Sequence, residues 1–295
     1  MRCNLCPRKC NIDRSTGKGY CNSGNKIRVA RSDLHMWEEE CISGTEGSGT
    51  VFFSGCNMQC VFCQNHEISF DGVGVEIDVE RLCELMLELE LKGANNINLV
   101  TGTHFMTLIC RAIELARNNG MRIPVVYNTS SYENVDSIKM LEGLVDVYLP
   151  DFKYMDDELA IRYSKAPGYA GIATAAIDEM VRQCGGTDKE AYDVRGIMQK
   201  GVIVRHMILP GHTRDSINIL GYLHERYGDK INISIMSQYT PVNDLKDYPE
   251  INRTITKREY EKVCSYAVDI GIEKGYFQEG KVAMESFIPR FDFKG

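Results

Sequence analysis

The sequence has no long apolar run and no repetitive segment. No stretch reaches the roughly 18 consecutive apolar residues that a helix needs to cross a bilayer, and no apolar export signal stands near the N-terminus. We therefore expect a soluble, cytoplasmic protein with no membrane partner. Short repeats and low-complexity segments are also absent, so the 295 residues should form one barrel-like domain or two smaller ones.

Basic residues are also fewer than acidic ones, with 34 Lys and Arg against 41 Asp and Glu. The formal net charge is −7, which argues against a general nucleic-acid binder. The charge is unevenly spread, because residues 1–31 hold eight Lys and Arg but a single acid, Asp13. Such a basic arm either binds an acidic partner or offsets the negative charge of clustered thiolates.

Cysteine, by contrast, is abundant, with 12 residues. In a reducing compartment, closely spaced thiols indicate metal ligands or catalytic groups more often than disulfides. The stretch "GCNMQCVFCQN" holds Cys56, Cys60 and Cys63, and the next cysteine is Cys83. A structural zinc site and an electron-transfer [4Fe–4S] cluster each take four ligands. Three thiolates leave one iron of such a cluster open, and an open iron can bind the amino and carboxylate groups of S-adenosylmethionine (SAM).

After the cysteine-rich start, β-branched runs alternate with helical patterns. Helical spacing predicts helices at residues 79–89, 105–116, 156–164, 169–184 and 213–227, and a last one that Thr256 and Glu259 cap. The runs between them are "TVFFSGC", "NINLVTGT", "IPVVYNTS", "VDVYLPDFK", "GVIVRHMILPG" and "INISIMSQY". Six strand–helix units in succession predict parallel strands joined by right-handed crossovers, in a doubly covered sheet or a barrel.

Polar residues follow the ends of these predicted strands, and this placement favours the barrel. In a parallel barrel the carboxyl ends of the strands share one face, which carries the active site. The fold class that we predict is α/β, a partial (β/α)6 TIM-type barrel with an N-terminal Cys-rich metal-binding segment. We expect residues 1–45 to form that segment, 46–245 the barrel, and 246–295 a C-terminal helix and tail that cover it.

The cysteine-rich loop also resembles a known family. "GCNMQCVFC", entered from the strand "TVFFS", looks like the cluster loop of the radical SAM superfamily. The longer stretch "SGTEGSGTVFFSGCNMQCVFCQN" is similar to pyruvate formate-lyase activating enzymes, and "CPRKC", "VTGTH", "LPDFKY", "RHMILPG" and "SQYTP" match their activating-enzyme-like iron–sulfur relatives.

The resemblance implies an oxygen-labile oxidoreductase, active under anaerobic conditions, that cleaves SAM reductively to a 5′-deoxyadenosyl radical for hydrogen abstraction. It also implies a reductant protein, flavodoxin or ferredoxin. The substrate is either a glycine-bearing partner protein or a small molecule. The C-terminal stretch "GYFQEGKVAMESFIPRFDFKG" would then serve as a lid or cover the open seam of the barrel.

The same resemblance implies which side chains bind the cofactor. Besides the cluster ligands Cys56, Cys60 and Cys63, they are Phe62, Thr101, Gly102, Thr103, His104, Asn128, Thr129, Asp151, Lys153, His206 and Gln238. Residues 101–104 stand where many relatives have a Gly-Gly-Glu turn that holds the SAM amino group. Phe62 would lie near the adenine and His206 near the ribose, and Lys153 is the candidate partner of the SAM carboxylate. Gln238 and Tyr239 would contact adenine or substrate.

A monovalent cation near the SAM carboxylate is a further implication. Asn128, Thr129 and Asp151 match its ligand pattern in activating enzymes, except that Asn128 replaces a charged ligand by a neutral one. We therefore expect weak or absent cation binding. In the strand "IVRHMILPG", alternation puts Arg205 and Met207 on one face and His206 on the other, so only one set can line the barrel.

The N-terminal cysteines form a closed set of four. Cys3, Cys6, Cys10 and Cys21 suit either a structural zinc or a second, fully ligated iron–sulfur cluster, and their spacing does not choose between them. A non-catalytic metal- or nucleic-acid-binding module built on this arm, and a pure electron-transfer iron–sulfur protein, are the alternatives to an enzyme. Packing residues are expected at Cys41, Cys83, Cys110, Cys184 and Cys264, although Cys41 is also a candidate ligand.

Overall fold

The fold is built on one sheet that mixes parallel and antiparallel strands. The computed structural model describes residues 2–242 and 244–277. Its strands are β1 (Ile27–His35), β2 (Ser48–Phe53), β3 (Val75–Ile77), β4 (Ile97–Val100), β5 (Val125–Thr129), β6 (Val147–Pro150), β7 (Ala191–Tyr192), β8 (Met198–Met207), β9 (Asn232–Met236) and β10 (Gly275–Phe277).

The six predicted strands are present and parallel to one another. The sheet order is β10-β9-β8-β6-β5-β4-β2-β1-β3, and the pairs from β2 through β10 along this path are all parallel. At the other edge, β1 and β3 pair antiparallel, and β7 pairs antiparallel with β8. Over the described residues the sheet does not close on itself, so the partial barrel is confirmed.

The described part of the C-terminal tail is a strand. Gly275–Phe277 forms β10, a further parallel strand beside β9 at the open edge of the sheet. Backbone pairing with an exposed strand edge explains this placement, because β9 would otherwise present unpaired amides there. Residues 278–295, the rest of the stretch that we predicted as a lid or a cover of the seam, lie outside the described residues.

The helices begin and end largely where the sequence predicts. They are α1 (Glu40–Ser43), α2 (His66–Ser69), α3 (Val79–Leu91), α4 (Met106–Asn118), α5 (Val135–Lys139), α6 (Asp157–Ser164), α7 (Tyr169–Cys184), α8 (Thr213–Tyr227) and α9 (Lys257–Asp269). The Asp78 side chain caps α3 by accepting from the Arg81 amide at 2.8 Å, and Thr256 and Glu259 form the predicted capping box. No described helix combines the length and apolarity that a membrane span requires.

The N-terminal segment shares the sheet with the barrel. β1 pairs with β2 from Val29 opposite Phe53 to His35 opposite Ser48. This ladder crosses the boundary that we predicted between residues 45 and 46. The division into 1–45, 46–245 and 246–295 stays a prediction.

The short helix α1 fills the amino end of the barrel. Because β1 runs antiparallel to β2, the chain leaves β1 beside Ser48, the first residue of β2. Cys41 and Ile42 of α1 then pack with a buried group from the parallel strands that includes Leu149 and Ile203. The Cys41 thiol accepts a hydrogen bond from the Tyr276 hydroxyl at 3.1 Å. Cys41 is thus a buried packing residue, as the sequence favoured.

Candidate active site

A cavity of about 260 Å³ lies over the carboxyl ends of the parallel strands. It collects most of the side chains that the sequence singled out, although they come from five different parallel strands or the connections that follow them. The predicted residues that line it are Cys56, Cys60, Phe62, Cys63, Thr101, Asn128, Thr129, Asp151, Lys153 and Gln238. The polar face expected of a parallel barrel is therefore a real cavity.

Two backbone features shape the cysteine loop that follows β2. Gly55 has φ +88°, and a Cβ there would stand 2.4 Å from the Cys21 carbonyl oxygen, so only glycine fits. Gln59, between the first two cysteines, adopts φ +56°, a left-handed turn that is uncommon for a residue with a side chain. These two turns fold the loop around its three thiols.

Local donors point at each of the three sulfurs. Sγ of Cys56 accepts from the Met58 amide at 3.4 Å, and Sγ of Cys63 accepts from the Ser69 hydroxyl at 3.4 Å. Sγ of Cys60 accepts from Ser164 at 2.9 Å. Hydrogen bonds of this kind stabilise sulfur ligands of a metal cluster.

Burial decides the charge state of these thiols. It raises the pKa of both Cys56 and Cys60 to about 11, and the nearby Lys153 ammonium opposes part of that rise. Three thiols at one cavity, with a cation and hydrogen-bond donors beside them, fit a cluster that is held by three thiolates.

A buried charge network forms another part of the cavity wall. The Arg205 guanidinium donates from Nε to Asp151 Oδ1 at 3.0 Å, from Nη1 to Glu38 Oε2 at 2.9 Å, and from Nη2 to Asn128 Oδ1 at 2.6 Å. Lys153 Nζ donates to Asp151 Oδ2 at 2.6 Å. Burial alone would raise the pKa of Asp151, but Lys153 and Arg205 outweigh it and hold that pKa below its usual value.

This network bears on the predicted monovalent cation. Asn128 and Asp151, two of its three predicted ligands, already contact the guanidinium of Arg205. The third, Thr129, donates its hydroxyl to Glu133 at 2.6 Å. The chain thus supplies its own positive charge where the sequence pattern suggested a metal ion.

Three residues of the "VTGTH" turn do not line the cavity, contrary to our expectation. Gly102 is needed for packing, since a Cβ there would stand 2.5 Å from Ile109 Cδ1. Thr103 turns inward and donates to Glu133 Oε1 at 2.6 Å. His104 is buried with its Nε2 2.8 Å from the Ser54 carbonyl oxygen. Only Thr101, held at φ +60°, reaches the cavity.

His206 does not line the cavity either, and its place beside the ribose stays a prediction. Its Nδ1 is 2.8 Å from the Phe152 carbonyl oxygen, on the face of β8 opposite to the cavity. Burial lowers the pKa of His206 to about 4. Strand alternation left two possible sets, and the structure selects Arg205 and Met207.

The N-terminal segment packs directly against the cysteine loop. Arg8 donates from Nε to the Asn57 carbonyl at 2.7 Å, and its guanidinium lies 3.9 Å from the centre of the Tyr20 ring. Gln59 Nε2 donates to the Tyr20 carbonyl at 3.1 Å. The two cysteine-rich segments therefore form one packed unit.

The four N-terminal cysteines are drawn together in part. Sγ of Cys10 and of Cys21 both lie beside Gly19, and the pKa of Cys6 is raised to about 12, mainly by burial and further by the charges of Glu133, Cys21 and Cys10. Among the described residues, no group of three or more His, Cys, Asp or Glu stands ready to hold a single metal ion. The choice between zinc and a second cluster stays as the sequence left it.

Sequence reasoning missed several cavity residues that precede β2. Trp37, Glu38 and Glu39 line the cavity, yet they follow the antiparallel strand β1 and not one of the parallel strands. The only signal was the run "EEE" after the sole tryptophan, and a charged run of this kind usually forms a solvated surface. Glu133, which accepts bonds from Thr103, Tyr127 and Thr129, was also missed.

A substitution at Ser164 tests whether Cys60 ligates a redox centre. Ser164→Ala removes the donor to Cys60, so the reduced, more negative cluster should lose more stabilisation than the oxidised one. We expect the midpoint potential to fall by tens of millivolts, since one hydrogen bond contributes about 1 kcal/mol and a tenfold change corresponds to about 59 mV for one electron. A potentiometric titration followed by electron paramagnetic resonance measures the shift. Ser216→Ala, at a buried serine of α8, should leave the potential unchanged.

The chain is similar in sequence to a known family and to one archaeal protein. A family model described as the radical SAM superfamily matches residues 50–223. A protein of Methanocaldococcus jannaschii, itself described as uncharacterised, is 29% identical over 284 residues, which cover 93% of this chain and 76% of that protein.

Solved structures resemble this fold at low sequence identity. SuiB of Streptococcus suis, crystallised with SAM, gives a TM-score of 0.51 at 12% identity and covers 77% of this chain and 49% of its own. HydG, a maturase of the [FeFe]-hydrogenase, gives a TM-score of 0.52 at 14% identity and covers 79% of this chain and 52% of its own. The chain spans about half the length of these structures, and the likeness concerns the fold alone.

Proposed function

Because this chain belongs to the radical SAM superfamily, we propose that it is an enzyme in which Cys56, Cys60 and Cys63 hold a [4Fe–4S] cluster. When bound, the cluster and SAM supply a 5′-deoxyadenosyl radical that abstracts a hydrogen atom from a second substrate. One observation carries the proposal. The three thiols share a single cavity with seven other predicted cofactor-binding residues, including Phe62, Thr101 and Lys153.

The residues around the cavity have separate tasks in this proposal. Phe62 is buried and meets the Tyr239 ring edge-on, with centroids 5.7 Å apart, so it offers a fixed aromatic wall for the adenine. Lys153 places its ammonium beside Cys60 and is the proposed partner of the SAM carboxylate. Asp151 holds that ammonium in position.

We further propose that the reaction is of the activating-enzyme kind, with flavodoxin or ferredoxin as the reductant. The motifs "GCNMQCVFC" and "LPDFKY" support this finer assignment. SuiB has been crystallised with its precursor peptide SuiA, so the same fold accommodates a peptide in that protein. A glycine-bearing protein and a small molecule are both open as the second substrate.

Anaerobic reconstitution of the purified protein tests the proposal. We expect brown protein with about four irons and four sulfides per chain at the three-cysteine site, and 5′-deoxyadenosine when SAM and a strong reductant are added. One zinc in addition, or about eight irons in total, decides what the N-terminal cysteines bind. A loaded cluster without deoxyadenosine would instead favour an electron-transfer protein, and zinc without sulfide a non-catalytic module.

A further inference from the structure

We propose that the cavity contains a binding site for a primary ammonium group, formed by the carboxylate of Glu39. The inference rests on the proposed function for the use of this cavity, and it adds the chemical class of a group that the cavity recognises. Glu39 lines the cavity and is only 6% exposed. Its Oε2 is buried and makes no hydrogen bond among the described residues. Burial raises the pKa of this carboxyl, although Arg205 and the Ser234 hydroxyl act to lower it.

Helix capping does not explain why the Glu39 carboxylate is buried. Glu39 occupies the N-cap position of α1, where an acidic side chain often accepts a bond from the helix amides. Here the side chain makes no capping bond. The Glu39 carboxylate is therefore buried without the usual structural use, although an unpaired buried carboxylate is costly to the fold.

The neighbouring charges leave Glu39 without a counterion of its own. Both oxygens of Asp151 are occupied, one by Arg205 and the other by Lys153. Arg205 also binds Glu38, whose second oxygen accepts from the Asn98 amide group at 2.9 Å. The described cavity thus holds three carboxylates against two cations.

His35 does not supply the missing positive charge. It lines the same cavity, but burial lowers its pKa to about 4, so its imidazole is neutral at physiological pH. An incoming cation is therefore the group that would balance Glu39.

The geometry favours an ammonium over other cations. A guanidinium is best recognised by two parallel bonds to both oxygens of a carboxylate, whereas Oε2 of Glu39 is buried and is poorly placed to take part in such a pair of bonds. A divalent metal needs several oxygen ligands, and the oxygens of Asp151 and Glu38 are already in use. A compact ammonium on a flexible stem can bind one oxygen.

Two molecules could bring this group, and the ligands tested should separate them. One source is the α-amino group of SAM itself, and the other is an amine on the second substrate. S-adenosylhomocysteine carries the α-amino group, and 5′-methylthioadenosine lacks it. n-Pentylamine and n-pentanol form a second pair, which represents an alkyl amine without a nucleoside.

Binding can be followed at the cavity itself. Trp37 is the only tryptophan of the chain, lines the cavity and is 53% exposed, so its fluorescence reports on ligands there. Isothermal titration calorimetry gives the affinities independently. Both measurements use the full-length, cluster-loaded protein under anaerobic conditions.

We expect Glu39→Gln to weaken binding of the matching amine by at least about tenfold, because a hydrogen bond to a charged group is lost. n-Pentanol and 5′-methylthioadenosine should be unaffected. Loss confined to S-adenosylhomocysteine assigns the site to SAM, and loss confined to n-pentylamine assigns it to the second substrate. Glu40→Gln, at the exposed neighbour outside the cavity, is the matched control.

Either of two results would overturn the site: amines that bind wild type no better than their uncharged partners, or unchanged amine affinity in Glu39→Gln. Thermal unfolding checks the variant, which should be at least as stable as wild type because a buried carboxyl with an unbonded oxygen is replaced by a neutral amide of similar shape. If the amine effect is found but wild type forms no deoxyadenosine from SAM, the proposed function fails while the ammonium site stands.

Discussion

Cys60→Ala should abolish both iron loading at the three-cysteine site and cleavage of SAM. Removing one of three thiolates leaves too few protein ligands to hold the cluster, and Cys60 is the most buried of the three at 8% exposure. We expect the reconstituted variant to bind about four fewer irons per chain than wild type. Deoxyadenosine formation should fall by more than about 100-fold, the upper range for residues that merely support metal ligands.

The control for this experiment is another cysteine with a different environment. Cys264 lies half-buried on α9 and outside the cavity, so Cys264→Ala should keep the iron content and the activity of wild type. Iron and sulfide analysis is read beside chromatography of the nucleoside products. If Cys60→Ala retained a full cluster, the assignment of the loop as the cluster ligand would be wrong.

Arg205→Met should produce the largest loss of stability among single substitutions in the cavity wall. It leaves the buried carboxylates of Glu38 and Asp151 without their shared guanidinium. Breaking a buried ion pair by removing one partner typically lowers the free energy of unfolding by about 3–5 kcal/mol. The variant should also raise the pKa of Asp151, because one of the two cations that lower it is gone.

A surface ion pair of similar chemistry supplies the comparison. Arg226 makes two bonds to Asp178 at 2.9 and 2.5 Å, but both side chains are about 40% exposed. Arg226→Met should therefore cost no more than about 1 kcal/mol. Urea denaturation of both variants without metal, followed by circular dichroism, measures the difference. If the two variants lost the same free energy of unfolding, the Arg205 network would contribute no more to stability than an exposed ion pair.

Much of the fold follows from local sequence patterns. The bounds of α7 and α8 are as predicted, and Asp78 and the Thr256–Glu259 box fix where two helices begin. In each case the determining contacts lie within a few residues along the chain. The helix α5, five residues long and with no side-chain cap, carried too short a pattern to be recognised.

The candidate site was predictable only where one segment carries the whole signal. The cysteine loop is such a segment, since its three cysteines lie within eight positions. Arg205 is not, because its partners Glu38, Asn128 and Asp151 come from three other parts of the chain. His206 shows the same limit: alternation separates the two faces of β8, but only tertiary packing decides which face meets the cavity.

Arg8 joins the N-terminal segment to the loop that holds Cys56, Cys60 and Cys63. A chimeric protein that took these two parts from different relatives would therefore lose the contacts between them. The guanidinium of Arg8 also donates to the Ser164 carbonyl at 3.3 Å, in the residue whose hydroxyl meets Cys60. An N-terminal segment transplanted from a relative would have to place an arginine within reach of the carbonyls of residues 57 and 164, and a backbone carbonyl within reach of the residue-59 side chain. The N-terminal segment and the cysteine loop can thus be exchanged between homologues only as a pair, and we expect the two cysteine motifs to occur together in related sequences.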